Sequence, residues 1–245
     1  MQAIDARAAA LFDGWTGTLI RSCLQGHMGR LCVNDPACPT AALIEVGDFA
    51  LFAGVPSDAL LDASRAPLLV PQNDAWCAQI EARFGDAVVK AQRYAIQTVR
   101  AFDVKRLTAF AASLPAGYAL RPIDGALYRM AMAASWSQDF CALFCDEADY
   151  LARGLGFAVL HEGAMVAGAS SYSVFDGGIE IEIDTLPAHR RKGLATACAA
   201  QLILTCLARG LYPSWDAHDL RSVALCEKLG YRMDHPYVTY EVQRN

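Results

Sequence analysis

One stretch constrains this chain more than any other. Ile179-Glu180-Ile181-Glu182-Ile183-Asp184 runs through Thr185-Leu186-Pro187 into His189-Arg190-Arg191-Lys192-Gly193-Leu194-Ala195-Thr196. Strict apolar-acidic alternation has the period of a half-buried β-strand, with isoleucines toward a core and acids on the opposite, polar face. Beyond the basic turn, Leu194, Cys198, Leu202 and Cys206 recur every fourth residue beside Ala195, Ala199 and Ile203. That spacing predicts a buried helix running to about Arg209 and stopped by Gly210. A strand, a basic glycine-containing turn and a helix are the outline of an anion site. The first amides of a helix lack intrahelical partners, and the helix dipole is positive at that end. Arg190, Arg191 and Lys192 add charge, Gly193 removes a Cβ from the approach, and Ala195 keeps the surface open. The string Arg-x-x-Gly-x-Ala has neither the glycine spacing and terminal Lys-Ser/Thr of a P-loop nor the three glycines of a dinucleotide-binding turn. Read alone, three basic residues ahead of a helix describe a solvated face more often than a phosphate site.

The same reading extends along the chain. In the first part, helices are expected over Asp13–Leu24, Ser57–Ser64, Asp74–Arg83 and Val104–Ser113, with strands over Gly29–Val33, Ala41–Val46, Phe49–Gly54, Leu68–Val70 and Val88–Val99. The turn chemistry of Ala112-Ser113-Leu114-Pro115-Ala116-Gly117-Tyr118 marks a boundary. The chain is therefore divided into a mixed α/β amino-terminal domain, 1–112, and a second domain, 113–245. No constellation in the first domain points to a reaction. The second is expected to hold a strand at Tyr118–Pro122, a helical stretch over Asp124–Arg153 and a hairpin of Phe157–Leu160 with Ala164–Val174. After the basic turn and its helix come a strand at Tyr212–Ala217, a helix at Leu220–Leu229 closed by Gly230, and a last strand near Tyr237–Val242.

Composition removes several classes. With 245 residues, 54% of them hydrophobic, the chain has material for a full core without disulfide or metal staples. Its mean hydropathy is +0.22, yet no stretch approaches the roughly 18 unbroken apolar residues of a spanning helix. The start Met-Gln-Ala-Ile-Asp-Ala-Arg does not read as an export signal, so a soluble, cytoplasmic protein is expected. The net charge of −5, with no basic run, argues against nucleic acid as partner. Nine cysteines without an export signal read as reduced thiols. Cys141 and Cys145 stand one helical turn apart, but no second pair completes a tetrahedral set, so no metal site is expected.

Two motifs give the basic turn its context. Arg190, Gly193 and Ala195 match a Gln/Arg-x-x-Gly-x-Gly/Ala turn. Asp219-Leu-Arg-Ser222-Val-Ala-Leu-Cys226-Glu-Lys228-Leu229-Gly230-Tyr231 matches an Asn-x-x-Ser-x-x-Leu-Tyr-x-Lys-Leu-Gly-Phe segment. Together, from Tyr118 to the end, the chain resembles the GNAT superfamily of N-acetyltransferases. It is also similar to a bacterial subgroup with an extra amino-terminal domain. The resemblance implies an α/β (α+β) fold in which a mixed, splayed sheet is flanked by helices, with an additional amino-terminal α/β domain. It implies acetyl-CoA as co-substrate, its pantetheine lying between the strand ending at Thr185 and the strand near Trp215. The backbone of Ile183, Asp184 and Thr185 would pair with the pantetheine amides. Arg190 and the amides of Arg191, Lys192, Gly193, Leu194, Ala195 and Thr196 would hold the pyrophosphate, and Ser222 would touch the cofactor.

Acetyl transfer to an amine needs the amine neutral at attack and the developing oxyanion held. Glu180 and Glu182, on one face of the acidic strand, are the candidate general bases, acting through water, against the plainer reading of a solvated acidic face. A backbone amide near Ile183 or Asp184 would meet the oxyanion. Cys226 stands where many members carry the tyrosine thought to protonate the leaving thiolate, and Asp219 replaces the usual asparagine. Plain helix packing is the expected role of Cys226. Among the other conspicuous residues, His189 reads as a loop residue touching cofactor or solvent and His161 as a hairpin-turn residue. His218 and His235 lack evident partners, and Trp215 reads as core before pocket lining. The expected function is transfer of an acetyl group to an amine, of a small molecule, within a ternary complex; a homodimer is compatible with it. The rivals are a noncatalytic acyl-CoA sensor and, further off, a site for a different phosphorylated ligand.

Overall fold

The computed structural model describes residues 5–243. Its chain separates into two compact units, one comprising Met1–Arg93 with Pro236–Asn245 and the other Tyr94–His235. In the first unit lie α1 (Ala6–Ala10), α2 (Thr18–Leu24), β1 (Arg30–Val33), β2 (Ala41–Val46), β3 (Phe49–Gly54), α3 (Asp58–Ala63), β4 (Leu68–Pro71), α4 (Asp74–Phe84) and the start of β5 (Val88–Ile96). β1, β2 and β3 form an antiparallel meander, and β4 returns parallel to β3 after α3. Its core gathers Leu43, Phe52, Leu61, Leu69, Trp76 and Ile80. The Trp76 ring lies 5.0 Å from Phe52, and its Nε1–H donates to the carbonyl of Gly54 at 2.9 Å, so the one polar atom of this buried indole is satisfied.

The second unit takes the end of β5 and continues through α5 (Val104–Ala112), β6 (Tyr118–Pro122), α6 (Gly125–Met132), α7 (Glu147–Arg153), β7 (Gly156–His161), β8 (Ala164–Phe175), β9 (Gly178–Thr185), α8 (Leu194–Ala208), β10 (Tyr212–Ser214), β11 (Asp216–Ala217), α9 (Leu220–Leu229) and the start of β12 (Met233–Val242). Its sheet has the order β10-β9-β8-β7-β6, antiparallel except for β10, which runs parallel to β9. α8 packs against β7 to β10 and against α5. Nine of its fifteen residues are buried, and Ala197, Ala199 and Ala200 are fully enclosed, so small side chains let it approach its neighbours closely. Gly168 admits the Phe140 ring over β8, where an added Cβ would come within 2.5 Å of a ring carbon.

Two expectations about elements are corrected. The stretch 124–153 is not one helix: α6 ends at Met132, a single 3₁₀ turn follows at Gln138–Phe140, and α7 starts at Glu147. Side chains compete for the backbone there, since Ser137 Oγ donates to the carbonyl of Ala131 and Asp146 caps the amide of Asp149, while Phe140 turns into the core. The expected strand over 212–217 is broken at Trp215. β10 pairs with β9, whereas β11 pairs with Tyr94 and Ala95 at the end of β5. Trp215, 4% exposed, fills the break and donates from Nε1 to Ser222 Oγ at 3.0 Å. No helix among the described residues is long and apolar enough to cross a membrane.

Candidate functional site

The site starts with a mismatch in length. β9 has eight residues, but its parallel pairing with β10 covers only Gly178, Ile179 and Glu180, opposite Tyr212, Pro213 and Ser214. Once β10 gives way to Trp215, Ile181 to Thr185 keep their ladder with β8 and have no β10 rungs on the other edge. An unpaired strand edge offers amides and carbonyls to an extended, amide-bearing ligand. Ile183, Asp184 and Thr185 occupy that edge, where the amide of Thr185 donates to Asp184 Oδ1 at 2.6 Å and its carbonyl accepts from Arg190. Thr185 Oγ1 is buried with no hydrogen-bond partner among the described residues.

Along β9, Glu180, Glu182 and Asp184 stand opposite Ser173, Ser170 and Gly168 of β8, so these six positions share one face. The segment carrying Phe140 and Tyr150 covers that face: Ser170 Oγ donates to the carbonyl of Phe140 at 2.7 Å and is joined to Tyr150 Oη at 2.9 Å. These contacts fall opposite Glu182 and Asp184, and the expected half-buried strand is instead buried on both faces at its start, Gly178 to Ile181. Glu180 is 6% exposed, while Glu182 and Asp184, in the same row, are half-buried. Burial raises the phenols of Tyr212 and Tyr231, and the nearby Glu180 charge adds to both shifts.

From Thr185 the chain makes one 3₁₀ turn at Pro187–His189 and enters α8 at Leu194. Arg191 and Gly193 have φ of +61° and +81° on either side of Lys192. Such alternation of backbone hand turns successive amides toward one side and forms an anion-binding concavity. Gly193 meets the conformational demand at no steric cost; an added Cβ there would touch nothing within 4 Å, so φ rather than space selects glycine. No side chain caps α8, and the amides of Leu194, Ala195 and Thr196 keep the donor capacity of a free helix start. α9, by contrast, is capped by Asp219, whose carboxylate accepts from the amides of Arg221 and Ser222. Aspartate and asparagine cap equally well, which accounts for the exchange at this position. The Arg221 guanidinium, first among the causes, holds the Asp219 carboxyl down at about 2.

The basic side chains are not equivalent. Arg190 donates from Nε to the carbonyl of Thr185 at 3.0 Å and lies 3.6 Å from Asp184, so it ties the turn to the end of β9. Arg191 is exposed. Lys192 donates from Nζ to Tyr118 Oη at 2.8 Å, and the same oxygen is joined to His189 Nδ1 at 3.0 Å. The Tyr118 ring packs at a tilt of 33° against His161 with centroids 4.4 Å apart. Partial desolvation, with the charges of Lys192 and His161, holds the His189 imidazole below its ordinary value, which favours the neutral ring. Tyr118, carried by β6, thus grips both flanks of the Arg190-Arg191 tip. No sequence motif marks it, because the pairing joins residues 74 positions apart. Lys228 reaches from α9 to Thr196 Oγ1 at 3.4 Å, and Ser222 accepts from Trp215.

Cys226 is fully buried, its thiol donates to the carbonyl of Val223 at 3.1 Å, and burial pushes it up to about 12. A proton held that tightly suits packing better than acid catalysis. His218 and His235, which lacked partners in the sequence, stand beside Asp219 and Asp234 on the surface. Among the described residues no group of three or more His, Cys, Asp or Glu has metal-site geometry. A separate open cleft of about 530 Å³, lined by Met130, Trp136, Ser137 and the hairpin 162–165, contains none of the residues above.

A sheet whose β9 and β10 part, a basic turn with two positive-φ residues and an uncapped helix start thus meet at one end of β9. The chain belongs to the GNAT acetyltransferase family, whose model matches residues 9–240. A GCN5-related N-acetyltransferase-like protein from Streptococcus suis 89/1591 is 45% identical and superposes with a TM-score of 0.94, the match covering 96% of each chain. A GCN5-related N-acetyltransferase from Kribbella flavida shares the fold at a TM-score of 0.58 and 17% identity, over 97% of this chain and 96% of that one. An uncharacterized N-acetyltransferase, YdfB, from Bacillus subtilis (strain 168) is 32% identical over 134 residues. That match covers 52% of this chain and 49% of the relative, so the chain spans about half the length of this curated protein.

Proposed function

We propose that the unit Tyr94–His235 binds acetyl-CoA and that the chain transfers an acetyl group from it to an amine of a small molecule within a ternary complex. The observation that carries this reading is the conjunction at one end of β9: a strand edge without β10 rungs at Ile181–Thr185 leading into an uncapped, basic helix start. The two fit the two halves of the ligand. The edge suits the amide-bearing pantetheine arm, and the turn Arg191–Thr196 suits the pyrophosphate. When bound, acetyl-CoA supplies the thioester carbonyl that the amine attacks.

The chain's own residues supply position and proton traffic. Arg190 fixes the turn against Thr185. The backbone near Ile183 and Asp184 would hold the oxygen on which charge develops. Glu180, more enclosed than Glu182, is the base that takes the ammonium proton through water, leaving a neutral amine. Holding both reactants in one gap supplies the proximity contribution.

A second reading, an acyl-CoA sensor without turnover, is favoured by Cys226: a buried thiol pushed up to about 12 stands where the family resemblance places a proton donor. Calorimetry with acetyl-CoA, followed by thiol release against a panel of primary amines, separates the two. Binding with turnover supports the transferase, binding without turnover supports the sensor, and absence of binding defeats both.

A further inference from the structure

We propose that Ser173 is a positioning residue in the proton path: its hydroxyl and the Glu180 carboxylate together hold the water that carries the acceptor's proton. The inference rests on the acyl-transfer reading above. Three serines of β8 are fully buried, Ser170, Ser171 and Ser173. Structure uses the first two. Ser170 Oγ bonds Phe140 and Tyr150, and Ser171 Oγ accepts from the amide of Leu155 at 3.0 Å. Ser173 Oγ is enclosed and has no hydrogen-bond partner among the described residues. Leaving a buried hydroxyl in that condition costs folding free energy, so its presence calls for a partner outside the protein's own bonds.

The ladder shows where that partner belongs. Pairing runs Ser170 with Glu182 and Ser171 with Ile181, then shifts at a bulge so that Ser173 opposes Glu180. Unshifted pairing would set Tyr172 there. Bulges re-aim side chains beside functional sites, and this one replaces a bulky ring by a small hydroxyl at the acid. Ser214 of β10 opposes Glu180 from the other side. Ser173, Glu180 and Ser214 thus form one polar row across three strands, on the last rung before β9 and β10 part. A buried water needs two to four polar partners, and this row supplies them. In the step, the water passes one proton to the Glu180 carboxylate and takes one from the acceptor ammonium. The water is regenerated, Glu180 becomes a neutral carboxylic acid, and the amine becomes neutral with its lone pair free.

Ser173→Ala removes a single oxygen. With butylamine, spermidine and lysine as acceptor probes, kcat is expected to fall by about 10- to 100-fold, while acetyl-CoA affinity by calorimetry stays within about twofold of the parent. The melting temperature should hold, because no hydrogen bond within the protein is lost; a purely structural serine would instead lower it and leave kcat alone. A readout without acceptor or cofactor is the ¹³C-carboxyl NMR titration of Glu180, assigned with Glu180→Gln and read beside Glu182, Tyr212 and Tyr231. Loss of the hydroxyl should move the Glu180 midpoint upward, since the water that donates to the charged form is no longer held. An unmoved midpoint overturns the inference, as does an unchanged kcat where an amine turns over. If Glu180→Gln leaves the rate intact, the assignment of the base fails; if Glu180→Gln is slow while Ser173→Ala matches the parent, only the role of Ser173 fails.

Discussion

The chain builds one succession of elements twice. β1, β2 and β3 are antiparallel, α3 follows, β4 lies parallel to β3, and α4 leads to β5; β7, β8 and β9 are antiparallel, α8 follows, β10 lies parallel to β9, and α9 leads to β12. Only the second succession has the chemistry of an anion site. In the first, β3 and β4 share the four rungs Phe49 to Phe52, and the end of β3 is occupied by side chains: Gly54 donates its amide to Gln72 Oε1 and gives its carbonyl to Trp76. The turn Val55-Pro56-Ser57 has no cation, and α3 is six residues long with Asp58 in its first turn. That carboxylate already answers the helix dipole. In the second, the strand edge beyond Glu180 has no β10 rungs, the helix is fifteen residues long without a cap, and three basic residues precede it. A shared topology is therefore a frame; the two turns differ in charge and in capping.

The comparison breaks most sharply at Gly193. Gly193→Asp puts a carboxylate into the basic turn and demands φ of +81° from a residue with a Cβ, so acetyl-CoA affinity by calorimetry is expected to drop by roughly 100-fold or more. Gly193→Asn, which tolerates the same backbone without the charge, should lose less. Val55→Asp in the corresponding turn of the first unit should leave affinity within about twofold; an equal loss at both positions would erase the distinction between the turns.

A smaller effect sharpens it. Lys192→Ala is expected to weaken acetyl-CoA binding by about tenfold, on the order of one charge-assisted contact. Tyr118→Phe keeps the ring on His161 but releases Lys192 and His189, and should cost about threefold in affinity with kcat unmoved. A kcat effect from Tyr118→Phe would show that its hydroxyl does more than brace the turn. Smallest of all is Cys226→Ala, expected to change kcat by less than about threefold and to act through packing instead. Its measurable partner is alkaline stability. Burial lifts Cys23 to about 11 and Cys141, Cys206 and Cys226 to about 12. Thiols whose folded values exceed their unfolded ones contribute fully below the unfolded value, near 9, and that contribution is lost as pH rises toward 11 to 12. Urea midpoints under reducing conditions should thus decline between pH 9 and 10.5, less steeply in Cys226→Ala.

Local elements were legible where one periodicity met clear punctuation. Ala41–Val46, Phe49–Gly54, Tyr118–Pro122 and Leu220–Leu229 appear in the fold with the bounds read from sequence, because alternation, caps and glycine stops act within a few residues. The helical stretch expected over 124–153 is interrupted in the fold, where Ser137 and Asp146 bond the backbone and Phe140 enters the core. Glu180, Glu182 and Asp184 do share a face, but nothing local announces that Phe140 and Tyr150 bond Ser170 opposite Glu182, or that a bulge at Tyr172 sets a serine against Glu180. The two-fold recurrence of elements was invisible as a sequence repeat: cores specify polarity and volume, so paired strands can share a path without sharing residues.

By itself the sequence determined the alternating strand, the basic turn, the buried helix after it and the capped helix at Leu220, since each is written in contiguous residues whose spacing dictates backbone geometry. Only the tertiary structure decided that β9 outruns β10 by five residues, Ile181 to Thr185, that Tyr118 holds Lys192 and His189, and that Ser173 faces Glu180. These depend on register and on contacts between distant segments, where a shift of one residue exchanges the faces of a strand.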